Sequence, residues 1–392
     1  MPVHTSLVAA PSQWQARLDS LLLAAHEAGA GALPSGFVAS PQAQANDPQV
    51  VRLVQSLRNA PNGPMKAAIL VGADLMAHPM ATELAARAQA LADLLGIRFG
   101  VLPAGGNAVG AYLAQAMPKS GGANAHDMFE DPSAAYLLVH LEPALDCADG
   151  PRAVSALKAA QKGMGVVALT AYKSAVSEVA NVMLPISPFT ETSGSLVNLA
   201  GRLQSFQAAV SPQGQTRPGW KVLRVLGNLL NLPDFDFESS EEVRDSLLPG
   251  ATPGERLPGL SVRFSLGAAA DQAKADASAT PNSAAGSFER LGLPGIYLSD
   301  VLVRRAPSLQ QTRQSASPKA VFHPADLTAI GGAPGMMVRL KQNRQELLLE
   351  AAVDARLASG VLSLTTGHTA SAQLNQRWGV LQVSVVTQQA AA

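Results

Sequence analysis

Apolar residues fall into two rhythms along the region from about Ser12 to Leu232. Short continuous runs recur at Ala67 to Val71, Ile97 to Leu102, Tyr136 to Leu141, Gly165 to Leu169 and Ala180 to Leu184. Each is about as long as an average strand, and the first of them, Ala67-Ala68-Ile69-Leu70-Val71, lacks alternation, as suits a strand buried on both faces. Between the runs the period lengthens to that of a helix. Met80, Leu84, Leu91 and Leu95 share one face, and Gly96 is placed to end that helix. Pro151 after Gly150 suits the first turn of a helix reaching Lys162, with Gly163 beyond its end. Strand and helix alternating in this way predict an α/β fold with a doubly wound parallel sheet.

The pattern then changes. Trp220 to Leu232 reads as an amphipathic helix on Val222, Leu226 and Leu229, backed by Leu223 and Leu230 and stopped by Pro233. Ser239-Ser240-Glu241-Glu242 has capping-box spacing and predicts a short helix through Leu247. Ala268 to Ser287 is rich in Ala, Ser and Asp and reads as a linker or flexible excursion. Four strand candidates follow, Met336 to Leu340, Leu347 to Val353, Val361 to Leu364 and Val380 to Val386, too closely spaced for intervening helices. The expected organisation is an α/β domain over residues 1–257, a linker and excursion over 258–318, and a small β-rich, barrel-like domain over 319–392.

Composition narrows the chemistry. The 392 residues are 47% hydrophobic and 15% charged, ample for buried cores. Lys plus Arg and Asp plus Glu both number 29, so the chain is formally neutral, which argues against a grip on nucleic acid or an anionic membrane. No run approaches the ~18 apolar residues of a span, so no direct membrane insertion is expected. Cys147 is the single cysteine: no intrachain disulfide, four-cysteine iron–sulfur site or cysteine zinc site can form. Its acidic flank would raise a thiol pKa. The seven histidines (His4, His26, His78, His126, His140, His323, His368) are scattered, and His126 beside Asp127 cannot easily present both side chains to one point. No metal site and no catalytic residue is expected on this chain. Neither a GxSxG elbow nor a phosphate-binding GxxxxGK[ST] loop occurs.

Two loops carry candidate binding residues. Pro185 to Gln204 follows an apolar strand and gathers Thr190, Thr192, Ser193, Gly194, Asn198, Gly201 and Arg202. Open α/β sheets hold ligands outside the carboxyl ends of their strands, so an organic-cofactor or anion site fits here. A connection stapled by its own side chains fits equally, with Arg202 pairing Glu191 or a carbonyl. Gly105-Gly106-Asn107-Ala108-Val109-Gly110 follows the strand ending near Leu102. Its glycines suit a phosphate or pterin cradle, or simply tight turns.

These residues carry a resemblance. The segment Asp127 to Leu247 resembles the carboxyl-terminal half of the large iron–sulfur subunit of bacterial NADH–quinone oxidoreductase, complex I. The agreement runs through Leu137 to Cys147, Val167 to Lys173, Leu184-Pro185-Ile186-Ser187-Pro188-Phe189-Thr190-Glu191-Thr192-Ser193-Gly194, Gly201 to Phe206 and Arg217 to Gly227. Leu298 to Ala306 is similar too. The wider relatives are the molybdopterin oxidoreductases, and His323-Pro324-Ala325-Asp326-Leu327 resembles the opening of their terminal barrel domain. The first domain is therefore read as a partial molybdopterin-oxidoreductase-like domain.

The resemblance implies a scaffold portion of the hydrophilic arm that carries electrons from NADH to quinone. Its partners would be the other subunits of that arm. It would lie in the cytoplasm, peripheral on the inner face of the plasma membrane through the complex. The family's iron–sulfur cysteines belong to a segment not found here, so the chain resembles a carboxyl-terminal piece or the product of a shortened reading frame. The family's Asn-Thr-Glu-Gly-Arg reads Asn198-Leu199-Ala200-Gly201-Arg202. Loss of the Glu turns the loop toward a structural role, and no pterin or other cofactor is expected on this chain. Gly105, Gly106, Asn107, Thr192, Ser193, Gly194, Asn198, Gly201 and Arg202 stand as vestigial candidates. Two other readings stay open: a molybdopterin-binding fragment of formate-dehydrogenase type, and a stand-alone interaction module.

Overall fold

The computed structural model describes residues 5–59, 67–260, 263–266, 286–374 and 376–386. Near the amino terminus, helices Trp14–Glu27 and Pro48–Arg58 pack with helix Ala81–Leu95. Asp47 caps the second helix, accepting the Gln49 N–H ahead of the first turn that Pro48 opens. Leu22, Ala25, Val50, Val54, Leu91 and Ala92 form their shared core. The buried Arg87 is neutralised there by Asp19 at 2.8 Å and Glu83 at 2.7 Å. As the sequence indicates, Gly96 ends helix Ala81–Leu95 in the left-handed region, at φ 66°, where a side chain would be strained.

Strands β1 (Ala68–Val71) and β2 (Arg98–Val101) are parallel, joined by that helix. Strands β3 (Ala135–Val139), β4 (Gly165–Thr170) and β5 (Val182–Pro185) form a second parallel sheet. Helix Gly150–Gln161 crosses between β3 and β4; the Asp149 side chain accepts the Arg152 N–H, and Pro151 lies in the first turn. The expected single sheet is therefore divided among the described residues. Residues 102–134 hold only the six-residue helices Ala108–Leu113 and Ala125–Glu130, neither with a buried residue. With nothing buried on either, no crossover helix seated on the sheet lays β3 beside β2.

The expectation that Ala67 to Val71 is buried on both faces also fails: Val71 is buried, but Leu70 is 60% exposed. Among the described residues, helices cover one side of β1 and β2. The second sheet repeats this asymmetry. Tyr136, Leu138, Val166 and Ala168 pack against Leu157 and Ala160, whereas Leu137, Val139 and Val182 on the other face are about half exposed.

A hairpin follows, β6 (Gly194–Val197) with β7 (Leu203–Phe206). Helix Gly219–Leu229 stops three residues before the expected Leu232, because Asn231 turns left-handed. Ser239 caps helix Ser240–Leu247 through the Glu242 N–H, as its spacing predicts.

The carboxyl-terminal strands close a six-stranded barrel in the order β10-β11-β9-β12-β8-β13. They are β8 (Ser287–Pro294), β9 (Ala320–Phe322), β10 (Met337–Gln342), β11 (Gln345–Val353), β12 (Val361–Thr366) and β13 (Val380–Val385). Two of these six lie outside the four expected strands. β8 falls in the stretch read as linker and excursion, and β9 precedes the first expected strand, with helix Pro324–Ala329 between it and β10. The Ala/Ser-rich stretch itself lies, up to residue 285, outside the described residues. Phe288 meets Phe322 edge-on at 5.3 Å in the barrel core, beside Leu340, Leu362 and Leu381. Arg290 is fully buried, donating to Gln342 Oε1 at 2.6 Å and to the Leu374 carbonyl, and burial pulls its pKa down to about 9.

Candidate functional site

The carboxyl ends of β3 and β5 open onto a cavity of about 460 Å³. Asn107, Thr192, Ser193 and Gly194 line it, joined by His140, Trp220 and Arg244 among mostly apolar neighbours. Two stretches that are remote in the sequence thus converge. The Asn107 amide oxygen accepts the Val197 N–H at 2.9 Å, tying the glycine loop to β6. Gly110 permits this: a Cβ there would sit 2.0 Å from Asn107 Oδ1. Ser193 Oγ lies 2.9 Å from Ser240 Oγ, and a Cβ on Gly194 would press on the Phe206 ring at 3.0 Å. Thr192 Oγ1 and Trp220 Nε1 are shut from solvent and have no hydrogen-bond partner among the described residues.

The remaining candidates lie elsewhere. Gly105 and Gly106 form an exposed turn, and a Cβ on either would meet no atom within 4 Å. Gly105 has φ 81°, the left-handed backbone that a tight turn needs. Asn198, Gly201 and Arg202 build the β6–β7 turn: Asn198 Oδ1 accepts the Arg202 N–H at 3.0 Å, Gly201 has φ 75°, and Arg202 donates to the Gly254 carbonyl. Of the two pairings considered for Arg202, the carbonyl is the one formed. His126 and Asp127 are both exposed on a short helix and do not bond each other.

His140 is a residue the sequence did not single out. It follows β3 directly, at φ 51°, and lines both this cavity and a second of about 520 Å³ facing the barrel. Burial lowers the imidazole pKa, opposed by the Ser187 backbone and the Asp300 charge. Cys147, also on the second cavity, has its thiol pushed up to about 11 by burial, then by Asp146 and Asp149. Beside it, Glu142 receives Arg304 Nε at 2.9 Å and Arg305 Nη2 at 2.7 Å, and Arg304 also reaches Asp146 at 2.6 Å. This ion-pair cluster clamps the β3 connection to the 298–305 segment that leads toward the barrel. Among the described residues no group of His, Cys, Asp and Glu could hold a metal ion, and no helix is long and apolar enough to cross a membrane.

Known proteins are similar to parts of this chain. The mitochondrial NADH-ubiquinone oxidoreductase 78 kDa subunit of Candida albicans is 31% identical over 135 residues, 33% of this chain and 18% of that protein. The NADH-ubiquinone oxidoreductase 75 kDa subunit of Reclinomonas americana is 39% identical over 64 residues, 16% of this chain and 9% of its own length. A Staphylococcus aureus protein described as a formate dehydrogenase is 32% identical over 68 residues, 17% of this chain and 7% of its own. These relatives are matched over less than a fifth of their length. The resemblance to the large subunit of respiratory NADH oxidoreductase is thus found in two of them. Among solved structures, acetylene hydratase from Pelobacter acetylenicus covers 67% of this chain and 46% of itself, with a TM-score of 0.49 and 13% identity. The sequence pattern of the molybdopterin oxidoreductase family matches residues 12–229, more than half of the sequence, and the chain belongs to that family.

Proposed function

We propose that the chain is a cofactor-free packing scaffold in an NADH–quinone oxidoreductase arm, holding neighbours in place while electrons pass through groups carried by other parts of the assembly. Its place would be the cytoplasmic face of the membrane, reached through its partners and not by insertion. The observation that carries this reading is the disposition of the loop polar groups. Asn107, Ser193, Asn198 and Arg202 bond this chain's own backbone and side chains, as in a structural connection. Parallel sheets are ordinarily covered on both faces, and the open faces at Leu70, Leu137, Val139 and Val182 suit contact with further protein.

Two features stand against a resident pterin. Asn107 is committed to Val197, and Arg202 lies at the far turn of the hairpin.

The test is to purify the chain from a molybdate-supplied host, alone and with respiratory-arm subunits, and assay oxidised extracts for pterin fluorescence and the protein for iron. The scaffold reading expects neither in stoichiometric amount, and co-migration with the arm subunits on native gels. Stoichiometric pterin would overturn it in favour of a formate-dehydrogenase-type fragment, the reading to which the Staphylococcus aureus likeness points. A chain that ignores the arm subunits would leave a stand-alone module as the better account.

A further inference from the structure

Helix Gly219–Leu229 leaves much of its apolar surface in water. Val225 is 49% exposed and Leu229 75%, followed by Leu230 at 61% and Leu232 at 47%. Lys221, Val225 and Leu229 are spaced four apart, so they form one stripe along the helix. The stripe is fixed at its carboxyl end. Asn231 adopts φ 54°, its N–H donates to the Asn228 carbonyl, and the Leu232 N–H donates to the Gly227 carbonyl, both at 3.0 Å. This Schellman stop holds Leu232 against the last turn. Phe235 then folds back onto Gly227, where an added Cβ would lie 2.2 Å from the ring.

The two ends of the stripe carry opposite charge. Lys221 is exposed at the amino end; Asp234 and Asp236 are exposed just past the carboxyl end. None of the three has an ion-pair partner among the described residues. An apolar stripe that is positive at one end and negative at the other is complementary to itself turned end for end. A two-fold contact of this kind forms the Lys221–Asp234 pair twice and closes at two copies. The formally neutral chain sets no net charge against the approach.

We propose that two copies of this chain associate through antiparallel contact of their Gly219–Leu229 helices. The contact goes beyond the scaffold role and does not depend on it. Because the stripe is smaller than the ~800 Å² per partner of a standard stable interface, the association is weak and concentration-dependent.

Sedimentation of the full chain across the micromolar range at low salt tests this. The wild type is expected to shift from monomer to dimer, and Leu229→Asp to remain monomeric. Lys221→Glu and Asp234→Lys should each weaken self-association about tenfold, since each puts like charges at both cross-contacts. Mixing these two variants should restore wild-type affinity, because every cross-contact then joins opposite charges. Lys221 and Leu229 are exposed, so circular dichroism melts of their variants should match the wild type; Asp234 has φ 62°, so Asp234→Lys should melt slightly lower while remaining folded. A wild type that is monomeric at every concentration overturns the proposal, whether or not another protein covers the stripe. So does a mixture no tighter than its components. Neither result touches the pterin and iron assays.

Discussion

Removing the charge from Glu142 should loosen the junction between the α/β part and the barrel. The carboxylate, 11% exposed, accepts Arg304 Nε at 2.9 Å and Arg305 Nη2 and Nη1 at 2.7 and 3.0 Å. Glu142→Gln keeps the shape but turns an NH₂ toward these donors. Arg304 would retain Asp146 at 2.6 Å and the Leu298 carbonyl at 2.9 Å. Arg305 would keep only the Val301 carbonyl at 3.2 Å, Ser174 Oγ at 3.3 Å and the face of Tyr172.

A hydrogen bond to a charged group contributes about 1.5–3 kcal/mol, and a unit pair at ~4 Å in an effective dielectric of ~20 about 4 kcal/mol. The amide oxygen still accepts one bond, so the net loss expected is about 2–3 kcal/mol, below that of breaking a deeply buried pair. Urea unfolding at neutral pH, followed by circular dichroism, measures it. The pH dependence gives a second check. Burial pushes the Glu142 pKa up, but Arg305 and Arg304 outweigh it and hold the carboxyl below the usual glutamate range. The stabilisation is therefore complete above the ordinary value of about 4.3 and is lost as pH falls through the folded value. The difference between wild type and variant should shrink on acidification. A neutral-pH difference under about 0.5 kcal/mol, the size of an ordinary surface substitution, would refute the argument, as would one that acid leaves unchanged.

Other outcomes follow from single contacts. Asn107→Ala strips the Val197 N–H of its partner and should cost about 1–2 kcal/mol in the same unfolding assay. Gly227→Ala drives a Cβ into the Phe235 ring and should cost about 1–3 kcal/mol, seen as a lowered melting temperature. Alkylation of Cys147 in the native protein, followed by mass spectrometry, should accelerate steadily with pH toward its raised value of about 11. The unfolded chain should instead level off near the ordinary thiol value; a native plateau there would contradict the burial argument.

Local order was legible in the sequence because its signals are local. Gly96, Pro151 and Ser239 each set a helix boundary through their own backbone or side-chain chemistry, and each boundary lies within a residue of where it was read. Layering was less legible, since whether β2 and β3 share a sheet depends on whether a helix between them packs on the sheet, and those of residues 102–134 bury no residue. β8 was hidden because Phe288-Glu289-Arg290 breaks any alternation, and its charges are buried by remote partners: Ser12 for Glu289 and Gln342 for Arg290. At the site, the loop chemistry could be read but not its division. Nothing in Asn198 or Arg202 announces a distant turn while Thr192 and Ser193 face a cavity. His140 gave no signal beyond standing at the end of a strand.

The amino-terminal arm carries a consequence in time. Ser12 bonds Glu289 through both its N–H and its hydroxyl, Trp14 stacks edge-on with Trp378 at 5.7 Å, and Trp378 in turn donates to the Ala77 carbonyl at 2.6 Å. Ser12 therefore leaves the ribosome 277 residues ahead of the Glu289 it bonds. At roughly 5–20 residues per second, the arm waits tens of seconds in solution before its latch exists. Any chaperone that attends this chain would meet Trp14 in that interval, before Trp378 exists to cover it.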